Sequence, residues 1–233
     1  MLRSLREEVC EANKALLRNG LVILTWGNVS GIDRDAGLVV VKPSGVPYER
    51  LTPDGMVVVS LDGLQAEGNL RPSSDLPTHL ELYRAFPRVG GVTHTHSPSA
   101  VSFAQARRAL PCYGTTHADH FHGEVPCTRL LSPQEVASDY ERNTGKLIVE
   151  TFRDRDTFAM PAVLVAGHGP FTWGVTAADS LHNSVALEAC ARMALDTLAL
   201  EASAAPLPAY ILERHYNRKH GPAATYGQRG QSR

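Results

Sequence analysis

His94-Thr-His96 closes an apolar run over residues 89–96 that reads as a strand. In a strand, residues i and i+2 point to one face, about 6.6 Å apart along the chain, so both imidazoles can converge on one ion. A second predicted strand ends in Val163-Leu-Val-Ala-Gly-His168-Gly-Pro, where the flanking glycines let the backbone approach closely. Three neutral imidazoles leave a divalent ion its full charge and an open coordination position, the pattern of a catalytic rather than a structural metal site. An H-x-H pair alone is more often two satisfied strand-end histidines, and His168 at a second strand end moves the balance towards metal. Histidine is the unusual count in this chain: ten, most of them in its middle.

Three further segments put hydroxyl and amide donors and free backbone N–H groups on turns: Trp26-Gly27-Asn28-Val-Ser30, Lys42-Pro-Ser44-Gly45 and Arg71-Pro-Ser73-Ser74-Asp75. The third opens a predicted helix, whose N-terminus favours an anion, and Lys42 adds a positive charge. Each alone is ordinary turn chemistry, and none matches the P-loop pattern. The loop Gly114-Thr115-Thr-His117-Ala-Asp119-His120-Phe-His122-Gly123 concentrates titratable groups. Asp119 is its candidate for proton transfer, against the competing reading of an Asx-turn. Near the C-terminus stand His215-Tyr-Asn-Arg-Lys-His220 and the phenol of Tyr226.

The elements that must position these groups follow from periodicity and punctuation. Helical spacing covers residues 2–19, and strands are expected over 21–24, 38–41, 56–60, 89–96, 147–152 and 162–166. Ser73-Ser74-Asp75 opens a helix through Phe86, Ser97-Pro98 starts another, and Ser132-Pro-Gln-Glu135 is a capping box for a helix to about Asn143. The longest periodic stretch runs over residues 177–200, followed by a helix over 208–220. Strands and helices mix without strict βαβ alternation. The fold class expected is therefore α/β: a single domain with a mostly antiparallel central β-sheet flanked by helices on both faces. Its expected span is residues 1–228, with 229–233 as a flexible tail.

Composition removes several classes of partner. The chain has 233 residues, 43% hydrophobic and 20% charged, and its 23 Lys+Arg against 24 Asp+Glu leave a net charge of −1. That balance offers no field to recruit nucleic acid or an anionic membrane. No apolar run approaches the ~20 residues of a membrane span, and the N-terminus lacks a secretory core. Cys10, Cys112, Cys127 and Cys190 lie far apart without a C-x-x-C, so reduced thiols and a cytoplasmic location are expected.

In their order and spacing these segments resemble the class II aldolase/adducin family over nearly the whole chain. The resemblance runs through Leu24-Thr-Trp-Gly-Asn-Val-Ser30, Val41-Lys-Pro-Ser-Gly-Val46, Pro72-Ser-Ser-Asp75, His94-Thr-His-Ser97, Gly114-Thr-Thr-His-Ala-Asp119, Pro126-Cys-Thr-Arg129, His168-Gly-Pro-Phe171 and Tyr226-Gly-Gln228. It implies a Zn2+ site, with Mn2+ or another divalent ion as alternatives, built from His94, His96 and His168 with Asp75 as a further ligand or near neighbour. It implies a phosphate and substrate site from Gly27, Asn28, Lys42, Ser44, Gly45, Ser73 and Ser74. Asp119 and Tyr226 would be the acid/base pair, with Thr115, Glu141 and His215 nearby on the substrate. Related aldolases carry Glu where this chain has Asp75, which favours the epimerising branch of the family. Departures stand at His120, His122 and Thr225, where that branch usually has tyrosines.

The activity implied is an isomerase reaction of carbohydrate breakdown, arabinose or ascorbate among the sources. It interconverts L-ribulose 5-phosphate and D-xylulose 5-phosphate. Carbon 4 of such a phosphorylated ketopentose is β to the carbonyl, so its hydrogen is not acidic and inversion requires retro-aldol cleavage, rotation and rejoining. A class II sugar-phosphate aldolase releasing a free aldehyde is the alternative. A zinc hydrolase is disfavoured because its H-x-H usually opens a longer TIM barrel, and a non-catalytic adducin-like head would be expected to lack the histidines. The resemblance also implies a cyclic homotetramer with active sites at subunit interfaces, Tyr226 entering the site of an adjacent chain.

Overall fold

The computed structural model describes residues 1–221 and 224–225. Seven strands, β1 (Asn28–Asp33), β2 (Leu38–Val41), β3 (Val57–Ser60), β4 (Gln65–Glu67), β5 (Gly91–His94), β6 (Ala162–Leu164) and β7 (Pro170–Gly174), form one sheet in the order β4-β3-β2-β1-β5-β7-β6. Every neighbouring pair in it is antiparallel. The helices are α1 (Arg3–Arg18), α2 (Leu76–Ala85), α3 (Pro98–Gln105), α4 (Thr115–Ala118), α5 (Pro133–Thr151), α6 (Ala177–Leu200) and α7 (Ala209–His220).

Alternation along the valine-rich strands divides the core in two. Val39, Val41, Val57 and Val59 enter one cluster with Leu80, Tyr83, Phe171 and Trp173, whereas Val29, Val40 and Val58 enter another with Val9 and Leu16 of α1. Successive strand side chains point to opposite faces, so a sheet covered by helices on both sides buries every position of β2 beyond its first residue and reads as a continuous apolar run. Each such valine removed from water contributes roughly 1.5–3 kcal/mol. Among the described residues no helix is long and apolar enough to cross a membrane. All four cysteines are unbridged, and burial pushes the thiols of Cys112 and Cys190 up to about 11 and about 12.

Two predicted strands are corrected. Residues 21–24 form a loop in which Leu24 has φ +56° and both Ile23 and Leu24 are exposed; the strand lies instead at Asn28–Asp33. That strand carries glycine at its centre because α1 lies directly on it, a Cβ at Gly31 standing 2.9 Å from the Leu5 and Val9 side chains, and its polar Asn28 and Ser30 are bonded to Asp75 and to His79 and Tyr83. Residues 147–152 continue α5, the run Lys146-Leu-Ile-Val-Glu150 being helical. Its buried residues Thr144, Leu147 and Ile148 recur at helical spacing, and tertiary packing overrides the β-propensity of the Ile-Val pair. Strands β4 and β7 had no counterpart in the expected elements. The capping box at Ser132 is present, with Ser132 Oγ accepting from Glu135 N at 3.2 Å and the Glu135 carboxylate accepting from Ser132 N at 2.7 Å.

Candidate active site

β5 ends at His94, the chain turns through His96, and His168 lies in the connection from β6 to β7. One ring nitrogen from each of these histidines lies within 4.8 Å of the others. The ring centroids are 4.9, 4.7 and 5.2 Å apart, too close for three charged imidazoliums. Burial, reinforced by His94 and His96, depresses His168 to about 3, and burial with His94 lowers His96. The His96 and His168 rings are therefore neutral at pH 7, the form that binds a metal.

The surroundings aim them. His94 Nδ1 lies 2.9 Å from the Pro170 carbonyl, to which it donates, and the ring stacks on Phe171 at 4.2 Å. That leaves Nε2 with its lone pair, buried and without a partner among the described residues. A buried acceptor left unmatched costs about 1–3 kcal/mol, and a cation held by three imidazoles with one open position would satisfy it. Tyr140, which the motif reading missed, brings its hydroxyl 3.4 Å from His168 Nδ1. The residues fit a divalent ion.

Beside the histidines is a cleft of about 480 Å³ lined by Gly27, Asn28, Lys42, Ser44, Gly45, Ser73, Ser74 and Asp75, with His96 in its wall. Lys42 is only 2% exposed. Its ammonium stands 5.0 Å over the Tyr48 ring and 3.3 Å from the Pro43 carbonyl. Burial, opposed by Asp75, lowers it to about 8. Asn28 donates to Asp75 at 2.6 Å and to Ser73 Oγ at 3.0 Å. Burial works against the Asp75 carboxylate, yet His94, His79 and the Asn28 amide outweigh it and hold the group below its ordinary value. Asp75 thus adjoins the three-histidine group without being a member of it. The expected free backbone donors are corrected at two positions. Ser44 N donates to the Arg71 carbonyl and Ser73 N to the Lys42 carbonyl, each at 2.9 Å, so the two loops are tied to each other and offer hydroxyls instead.

Asp119, expected to move protons, lies away from the histidine cleft. Asp119 follows α4, which Thr115 begins, and faces α7. Arg218 grips its carboxylate through two bonds of 3.0 and 2.6 Å, with His215 at 3.2 Å and Lys219 at 3.9 Å. Burial raises the Asp119 carboxyl, but the Arg218 and His215 hydrogen bonds bring it below the ordinary value. This carboxylate lines a second cavity of about 270 Å³ with His120, His182 and His220, apart from the histidine cleft. His122 is turned to Glu213 at 2.7 Å. Glu141 lies on α5, its carbonyl accepting from Thr78 at 2.5 Å. Tyr226 and residues 229–233 lie outside the described residues. Arg218 was not anticipated, although its i, i+3 spacing from His215 on a predicted helix was a usable signal.

The model of the class II aldolase and adducin N-terminal domain matches residues 7–195. The chain belongs to the class II aldolase and adducin family. A relative within it, L-ribulose-5-phosphate 4-epimerase UlaF of Salmonella paratyphi B, is 51% identical over 228 residues, covering 98% of this chain and 100% of that protein. The protein of the same name from Salmonella typhi is also 51% identical over the same share of each chain. Among solved structures, an L-fuculose 1-phosphate aldolase superposes with a TM-score of 0.78 at 23% identity, covering 92% of this chain and 95% of its own. The L-fuculose-1-phosphate aldolase of Thermus thermophilus gives 0.67 at 25% identity, over 88% and 100%. The single antiparallel sheet with helices on both faces is thus the class II aldolase fold.

Proposed function

We propose that this chain is a metal-dependent isomerase that interconverts L-ribulose 5-phosphate and D-xylulose 5-phosphate by inversion at carbon 4. The observation that carries this reading is the three-histidine group opening onto a cleft that holds one buried lysine and the hydroxyls of Ser44, Ser73 and Ser74. The identity of more than half to proteins named for that reaction supports it. Zinc is the ion we assign, because three neutral nitrogen donors with an open position suit it; Asp75 is placed as a further ligand or as the group that orients one. When bound, the cation supplies Lewis acidity to substrate oxygens that gain negative charge as the bond between carbons 3 and 4 breaks.

This chain's own groups do the rest. Lys42, Ser44, Gly45, Ser73 and Ser74 hold the phosphate, with Gly27 and Asn28 beside it, and retain the aldehyde fragment between cleavage and rejoining. Asp119 and Tyr226 take the 4-hydroxyl proton on one face and return it on the other, with Thr115, Glu141 and His215 next to them. Because Asp119 lines a different cavity from the histidines, we place it in the site of a neighbouring copy, so that a homotetramer completes each site. Residues 1–228 act as one catalytic domain in this reading, and its place is the cytoplasmic breakdown of pentoses such as arabinose.

A coupled assay tests the reaction: L-ribulose 5-phosphate should yield D-xylulose 5-phosphate with no accumulation of glycolaldehyde phosphate. Accumulating aldehyde as the main product would make the protein an aldolase and overturn the assignment. The phosphate clamp has its own signature. The Lys42 ammonium, depressed to about 8, is charged at pH 7 and loses its charge as the pH rises through about 8. KM for the phosphorylated substrate is therefore expected to climb above that pH. Lys42→Met should raise KM about 10- to 100-fold at pH 7, the ~1.5–3 kcal/mol of a charged hydrogen bond, and abolish the pH-dependent limb. A KM indifferent to both changes would remove Lys42 from the clamp.

A further inference from the structure

Two of the three clustered histidines are oriented through their rings, His94 by the Pro170 carbonyl and His168 by the Tyr140 hydroxyl. His96 has no hydrogen-bond partner on its ring among the described residues, so its direction depends on the backbone that carries it. That backbone, the 95–97 segment between β5 and α3, is hemmed in by two glycines. A Cβ at Gly27 would stand 2.8 Å from the His94 carbonyl oxygen, and one at Gly169 would stand 2.9 Å from the Thr95 carbonyl oxygen.

The segment runs directly into the N-terminus of α3, and that end is capped from another helix. Ser97 holds the N-cap position but makes no side-chain cap bond; its hydroxyl accepts from Thr95 Oγ1 at 3.1 Å. The backbone N–H groups of Ser99 and Ala100 donate instead to the two carboxylate oxygens of Glu188 on α6, each at 2.9 Å. A helix N-terminus carries a partial positive charge, which is unfavourable beside a site meant for a dication. Glu188 offsets that charge and, by holding both first-turn amides at once, ties the chain just after His96 to the longest helix of the fold.

We infer that Glu188 is a positioning residue for the metal site: its grip on Ser99 and Ala100 sets the 95–97 segment and so points His96 at the ion. This rests on the three-histidine reading made above. Outer partners of metal ligands typically change affinity about 10- to 100-fold when removed. Glu188→Gln keeps the shape but can accept from only one of the two amides, and it carries no charge. Glu188→Ala loses both bonds.

The test uses the full-length protein with Co2+ as the probe. Its readouts are affinity by chelator competition, the visible spectrum of the bound Co2+, and the thermal midpoint of the metal-free protein. Thr176→Ala is the control. Thr176 caps α6 at 3.0 Å from Asp179 N, so this variant loses a helix cap on the same helix without touching the 95–97 segment. Glu188→Gln should weaken Co2+ binding about 10-fold and change its spectrum, Glu188→Ala more so, whereas Thr176→Ala should bind within about twofold of the parent. A Glu188→Gln protein with the parent's affinity and spectrum overturns the inference, as does an equal loss in Thr176→Ala, which would mean general loosening. Should Glu188→Ala fail to fold, the glutamine variant decides. A parent that binds no Co2+, or a His96→Ala variant that binds it with parental affinity, removes the metal reading itself and this inference with it.

Discussion

His94→Ala protein is expected to bind no stoichiometric metal and to lose about 10³-fold or more in turnover, since Lewis-acid stabilisation contributes several kcal/mol and each 1.36 kcal/mol is tenfold in rate. The fold should survive. The substitution removes one ring stacked on Phe171 and one bond to the Pro170 carbonyl, while discarding a buried nitrogen that has no partner among the described residues. The metal-free variant should therefore keep the circular dichroism of the parent. Linkage supplies a second readout: an ion bound only by the native state raises the midpoint of unfolding, so chelation should lower the parent's midpoint and leave the variant's unchanged. Full metal occupancy in the variant would sink the assignment of His94.

Hybrid oligomers should show the second large effect. Asp119→Asn is expected to lower turnover about 10²- to 10⁴-fold as the loss of an acid/base group, and His96→Ala to abolish it through the metal. One variant keeps the histidine cleft and the other keeps the carboxylate beside α7. Because those two regions line separate cavities of one chain, the pairing restores a complete site wherever the cleft of one variant meets the Asp119 of the other. Random reassembly of equal amounts of the two inactive proteins should restore activity at roughly a quarter of the interfaces of a cyclic assembly. Verified hybrids that remain inactive would place both halves of the site within one chain and refute the shared site.

The clamp on Asp119 gives the parent a pH signature that the Asp119→Asn variant should lack. Arg218 and His215 hold the carboxyl below its ordinary value, so the stability it contributes is present above the unfolded value and fades as the pH falls through the lowered one.

Much of this site was legible because its signals are local. The pairing of His94 with His96 is legible from their spacing, although β5 stops at His94, short of the expected residue 96, and His96 stands in the turn beyond it. The Ser132–Glu135 box needs only the first turn of a helix. The antiparallel sheet with helices on both faces also followed from the order of elements. What sequence could not decide depends on partners far along the chain. The strand at Asn28–Asp33 looks too polar to be central until α1 is laid against Gly31, and the Leu-Ile-Val run of α5 resembles a strand until its helical burial is seen. Ser44 and Ser73 spend their backbone donors on each other's loops, which no turn motif announces. Asp119 meets Arg218 across 99 positions, and Glu188 meets Ser99 across 89. A hydrogen bond between such residues leaves no periodicity in either segment, since neither has to adjust its own spacing to accommodate the other; only the packing of α6 and α7 onto the sheet and its helices brings those groups within reach.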